Sequence, residues 1–175
     1  CYRGCKSLLF FSVLGLLFFS SCQSTRSFTS PLPEEYSIRM SKSSASGYKN
    51  VKRVRKYEFA HRDVPAAFDG CRLGFVSDLH YRSLLKEKGL RDITRLLNDL
   101  RLDALLIGGD LHEGCEYVPD VIAALGAVKT PLGTYAVLGN NDYEACYDDI
   151  LKEMERQGIH LLEHEADTLK RNGGR

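Results

Sequence analysis

The chain has 175 residues, 43% hydrophobic and 27% charged, which is enough apolar material for one globular domain with a real core. Its 24 basic and 23 acidic residues leave a formal charge of +1, so the broad electrostatic footprint of a nucleic-acid binder is missing and no nucleic-acid partner is expected. The six cysteines include no C-x2-C pair and give no zinc pattern.

At the front, Arg3 and Lys6 precede the apolar run LLFFSVLGLLFF, residues 8–19, which is followed by Ser20, Ser21 and Cys22. A basic head, a short apolar centre and a small-residue zone predict an export signal over residues 1–22, because a membrane span needs about 20 apolar residues. The tetrad Phe19-Ser20-Ser21-Cys22 resembles a bacterial lipobox. That resemblance implies lipidation at Cys22 and a membrane-anchored, extracytoplasmic bacterial lipoprotein. An uncleaved signal anchor, or ordinary secretory cleavage near Cys22, is the alternative.

Residues 23–50 turn to Ser, Thr, Pro and Gly with no sustained period of 2 or 3.6, which predicts a flexible tether. Lys49, Lys52, Arg53, Arg55 and Lys56 then cluster, either as a solvated strand face or as a surface resting on anionic head groups. The first residue is Cys1 rather than Met, and Asn172-Gly173-Gly174-Arg175 is a turn signal of the kind that leads into another strand. Both ends therefore read as cuts.

The domain is expected over residues 51–175. Strands are predicted at 55–61 and 72–77, joined through Pro65 and the Asp69-Gly70 turn. Leu90, Ile93, Leu96, Leu97 and Leu100 recur at helical spacing and predict a helix over 90–102. The continuous apolar run Ala104 to Ile107 is the length of a strand covered on both faces. A second helix is expected over 118–128, a strand over 134–138, a third helix over 144–157 stopped by Gly158, and a short strand over 159–162.

Three of these strands end in polar groups of ligand type: Asp78-Leu79-His80, Gly108-Gly109-Asp110 and Gly139-Asn140-Asn141-Asp142. Asp78, Asp110 and Asn140 recur at intervals of 32 and 30 residues, the length of one βαβ unit. Right-handed crossovers would make the strands parallel and open all these ends on one edge, where α/β sheets bind ligands. Carboxylate, imidazole and amide oxygen suit Mn, Fe, Zn or Mg, and a central carboxylate can bridge two ions about 4 Å apart. Taken singly, Asp78 could cap a helix, Asp110 form a turn, and Asn140 and Asn141 be a turn pair.

In this order and spacing the motifs resemble those of the calcineurin-like metallophosphoesterases, whose pattern runs D-x-H, G-D, G-N-H-D over strand ends. The resemblance covers residues 69–175. It implies an α/β fold in which these βα units form one half of a four-layer αββα sandwich, with the second half missing. It also implies two divalent ions, Asp78 and His80 holding the first, Asp110 the bridge and Asn140 on the second, with hydrolysis of a phosphoester or phosphoanhydride by a dimetal-bound hydroxide.

The family's catalytic His position is Asn141 here, and His160 and His164 do not match its later histidines. With those ligands absent, the fragment alone is expected to be inactive. Arg82 is a candidate phosphate contact. His112 and Glu113 are either partners behind the ligands or solvated loop residues. Similar membrane-associated relatives suggest a phosphorylated small molecule or lipid-linked nucleotide, such as a UDP-diacylglucosamine, as substrate. The competing reading is a surface lipoprotein that keeps the fold as a non-catalytic binding module. A dinucleotide-binding fold is disfavoured, because no G-x-G-x-x-G follows a strand. Cys115 and Cys146, in loops after neighbouring strands, are a candidate disulfide for an exported chain.

Overall fold

The structure is a computed structural model that describes residues 8–10, 36–43, 45–143 and 146–173. Seven strands form one sheet: β1 (Leu8–Phe10), β2 (Tyr36–Ser43), β3 (Val54–His61), β4 (Leu73–Val76), β5 (Ala104–Ile107), β6 (Thr134–Ala136) and β7 (His160–Leu161). Three helices connect the last four: α1 (Glu87–Asp99), α2 (Val118–Gly126) and α3 (Tyr147–Gln157). The spatial order is β2-β3-β1-β4-β5-β6-β7. From β4 to β7 every neighbour is parallel and sequential, as repeated right-handed crossovers require, and this puts all three helices on one face.

The register explains which side chains are covered. Gly74, Leu105 and Thr134 align across the sheet, as do Val76, Ile107 and Ala136, and all six are buried beneath the helices. The helices answer with apolar stripes: Leu90, Ile93, Leu96 and Leu97 from α1, Val121, Ile122 and Leu125 from α2, and Ile150 and Met154 from α3. Residues at i, i+3, i+4 and i+7 share a helix face, so each element contributes one side to a single core. Gly158, at φ +67°, ends α3 in the left-handed conformation that glycine adopts without penalty. On the opposite face Phe75, Leu106 and Tyr135 are half-buried and Val137 is exposed. One face covered by helices and, among the described residues, one apolar face without a layer over it match half of the four-layer arrangement expected.

Two strands lie where the sequence reading expects none. The strand β2 lies inside the stretch expected to be an irregular tether. It pairs antiparallel with β3 from Tyr36↔His61 to Ser43↔Val54 at the sheet edge. Residues 37–43 are exposed, so the strand is held by backbone pairing; Tyr36, Ile38 and Met40 alternate with Ser37, Arg39 and Ser41, a period of 2 too brief to stand out from the Ser-rich stretch around it. Leu8–Phe10, the head of the run expected as an export signal, forms β1 between β3 and β4, antiparallel to the first and parallel to the second. The rest of that expected signal, including the lipidation candidate Cys22, lies outside the described residues. No helix among the described residues is long and apolar enough to cross a membrane.

Candidate metal centre

The loops that follow β4 and β5 stay paired beyond the strands. Asp78 N–H donates to Gly109 O (3.0 Å), His80 N–H to Asp110 O (3.0 Å) and Tyr81 N–H to Leu111 O (2.9 Å). This zipper fixes Asp78, His80 and Asp110 side by side at the C-terminal edge. Ligand atoms of the three lie within 4.8 Å of one another, with Asp78 exposed and the other two half-buried. The backbone bends sharply to achieve it: φ is +55° at Asp78, +39° at His80 and +54° at Asp110. A side chain in that region costs about 1 kcal/mol or more, and such strain collects at functional sites.

The loops after β5 and β6 also touch. A Cβ on Gly109, whose φ is +83°, would stand 2.1 Å from the Gly139 nitrogen, so no larger residue fits there. Asn141 N–H donates to Asp110 Oδ1 at 3.1 Å, which brings the third motif onto the second. Asp142, fully buried, clasps both loops. Its Oδ2 accepts from Asp110 N (2.7 Å) and Gly139 N (2.9 Å), and its Oδ1 from Leu111 N (3.2 Å).

Glu113 lies behind the cluster. Its Oε1 is 2.5 Å from His80 Nδ1 and 3.4 Å from Asn141 Nδ2. A carboxylate there keeps the proton on Nδ1 and leaves Nε2 free to bind an ion, an arrangement common behind ligating histidines. Glu113 therefore contacts the His80 ring while staying exposed to solvent. His112 is buried: Nδ1 accepts from Gly114 N (3.2 Å), while Nε2 faces Asp142 Oδ1 at 3.7 Å without a hydrogen bond. Asp142 ends the third motif, but its part as a clasp, like that of Glu113, depends on two loops meeting and is not read from local sequence.

Asn140 is exposed at the end of β6 and its amide reaches Asn141 Oδ1 at 3.4 Å. The Arg82 guanidinium lies over the Tyr81 and Tyr117 rings, 4.9 and 5.3 Å from their centroids, so aromatic stacking occupies the group expected to meet phosphate. His160 stacks on Tyr135 at 5.1 Å, in keeping with its assignment outside the cluster. Cys115 and Cys146 form a disulfide with Cα atoms 5.1 Å apart, tying the loop after β5 to the segment after β6. In the basic cluster Lys56 pairs with Glu58, whereas Lys49, Lys52 and Arg53 are exposed.

The donor set fits a divalent ion. Two carboxylates and an imidazole converge, and among the described residues no lysine or arginine neutralises Asp78 or Asp110. Hard oxygen donors with one imidazole suit Mn, Fe, Zn or Mg.

Residues 71–171 match the family model described as calcineurin-like phosphoesterase. A transmembrane protein with metallophosphoesterase domain from Danio rerio is 27% identical over 113 residues, 62% of this chain and 26% of that protein. An uncharacterized metallophosphoesterase from Aquifex aeolicus is 27% identical over 118 residues, 65% of this chain and 44% of its own length. Another from Helicobacter pylori strain 26695 is 32% identical over 92 residues, 52% and 25% respectively. The chain thus spans less than half the length of these relatives. No solved structure gives a significant match.

Proposed function

We propose, from the premise that the chain belongs to the calcineurin-like phosphoesterase family, that its strand-end cluster serves metal-dependent hydrolysis of a phosphoester or phosphoanhydride. The observation that carries this reading is the convergence of Asp78, His80 and Asp110 within 4.8 Å. Asp78 and His80 would hold one ion, and Asp110 with Asn140, from the end of β6, would contribute to a second. Divalent ions held there supply Lewis acidity toward the phosphoryl oxygens and lower the pKa of an attacking water.

The protein's own part is positional. Glu113 fixes the His80 tautomer, Asp142 holds the loops of Asp110 and Asn140 together, and the Asn141 amide donates hydrogen bonds without giving up a proton. Arg82 remains a phosphate contact only if substrate draws it off the tyrosine rings. A phosphorylated small molecule or lipid-linked nucleotide near a membrane is the substrate class proposed, supported by the apolar run before Cys22 and by relatives named as transmembrane proteins. A non-catalytic binding module is the second reading, favoured by Asn141 at the position of the family's His.

Metal content and turnover of the intact protein separate the two. The enzyme reading expects a dinuclear Mn²⁺ stoichiometry and phosphodiesterase turnover. In Asp110→Asn both ions are weakened and activity falls by several kcal/mol in ΔΔG‡, on the order of a thousandfold. Wild-type activity in Asp110→Asn with unchanged metal content would refute the bridging role, and an intact protein that takes up no metal would leave the binding module.

A further inference from the structure

One strand along the same edge from the metal ligands lies an aromatic pair that the hydrolytic reading does not use. Tyr143 follows the Gly139–Asp142 loop directly, and Glu163 follows β7, the neighbour of β6. The Tyr143 hydroxyl donates to Glu163 Oε1 (2.9 Å) and the Tyr147 hydroxyl to Glu163 Oε2 (2.7 Å). The two rings stack with centroids 5.8 Å apart and an interplanar angle of 19°. Both hydrogen bonds hold the phenols above their ordinary pKa, so the rings stay neutral at physiological pH.

This pair is unusually fixed for a surface feature. The residue before Tyr143 is the buried clasp Asp142, and Cys146, directly before Tyr147, is bonded to Cys115. A clip between this loop and residue 163 needs only one phenol. Two phenols sharing one carboxylate also set the ring planes, yet Tyr143 remains 51% exposed. Its conformational entropy is already spent while an apolar face is left to water, which is the state of a surface waiting for a flat ligand.

We propose that the Tyr143 ring is a stacking platform for an aromatic heterocycle on the substrate, so that the ligand class is a nucleoside phosphate rather than a sugar or alkyl phosphate. The inference rests on the phosphoesterase reading, because the phosphate end must be held by the strand-end cluster a few residues away. Stacking recognises the π-face of any base and asks for no particular hydrogen-bond pattern. The platform thus selects nucleotides as a class.

The test uses the intact protein loaded with Mn²⁺ and compares the dissociation constants of adenosine 5′-monophosphate and ribose 5-phosphate by calorimetry. The nucleotide is expected to bind about 5- to 150-fold tighter, the ratio one base–aromatic stack carries. Tyr143→Leu should bring that ratio to about 1 while Mn²⁺ and ribose 5-phosphate bind as before, and Tyr143→Phe, which keeps the ring, should preserve it. Equal affinities in the wild type, or a preference that survives Tyr143→Leu, overturn the platform and leave the phosphoesterase reading standing. Failure to bind both Mn²⁺ and ribose 5-phosphate overturns the phosphoesterase reading, and the platform with it.

Discussion

Removing the Asp142 carboxylate should cost more stability than any other single change at the site. In Asp142→Ala the amides of Asp110, Gly139 and Leu111 lose acceptors at 2.7, 2.9 and 3.2 Å, where Leu111 is fully buried and the others half-buried. Each abandoned donor costs about 1–3 kcal/mol, and with two of them able to reach some water the sum is about 3–6 kcal/mol. Set against a domain's usual 5–15 kcal/mol, that loss brings the protein close to unfolding. Asp142→Asn is milder. With its oxygen at the Oδ2 position it keeps the Asp110 and Gly139 bonds, but its amide then faces two donors, Leu111 N–H and the proton on His112 Nε2, at a cost of about 1–3 kcal/mol. Urea denaturation of the wild type and both variants gives the energies, and Mn²⁺ titration gives the effect on the site. An Asp142→Ala variant within about 0.5 kcal/mol of wild type would refute the clasp, since that is the range of surface substitutions.

The Cys115–Cys146 bond closes a separation of 31 residues, so reduction, or Cys115→Ser with Cys146→Ser, should lower stability by about 3–4 kcal/mol. An unreduced mass with two alkylatable thiols, or a urea midpoint indifferent to reductant, would count against it. Asn141→His should raise hydrolysis of alkyl esters by up to about 10²- to 10⁴-fold, because an imidazolium can protonate a poor leaving group. Aryl and pyrophosphate substrates should gain far less, and an unchanged ratio between the classes would show that the leaving group needs no such proton. Glu153 is held below the ordinary glutamate range by hydrogen bonds from Arg156 and then Gln157, against an opposing contribution from burial. Its stabilisation of α3 is therefore complete above the unfolded glutamate pKa and lost as pH falls through the lowered folded value. Glu153→Gln should flatten the acid limb of a melting-temperature profile below the ordinary glutamate pKa, and two superimposable limbs would sink that assignment.

The sequence carried the βα alternation because each element there buries one side. Ala104 to Ile107 was bounded as found, since a strand covered by helices must be apolar without interruption. Helix α1 begins at Glu87, three residues before its first large apolar anchor, because a first turn facing water leaves no period to read. The strand expected over 134–138 is regular only to Ala136, although Val137 N–H still donates to Ile107 O at 2.9 Å. The cluster itself was legible because each motif sits on its own strand end and a parallel sheet leaves those ends little freedom. What the sequence leaves open depends on meetings across loops: the Asp142 clasp, the choice between the two readings of Glu113 and the turning of Arg82 onto Tyr81 and Tyr117. The edge strand β2 is obscure for the opposite reason, since residues 37–43 face water and the brief alternation of Tyr36, Ile38 and Met40 with polar residues lies in a Ser-rich stretch.

The left-handed φ values at Asp78, His80 and Asp110 set stability and chemistry against each other. Glycine accepts such a backbone freely, so replacing any of the three by glycine would relieve strain while removing a member of the cluster. A directed-evolution campaign that rewarded only heat resistance or expression yield would thus be drawn to these positions first, and would return a sturdier protein with its cluster dismantled. Any stabilisation programme for this chain must hold the three residues constant and seek its gains among the exposed residues of α1 and the β2 edge.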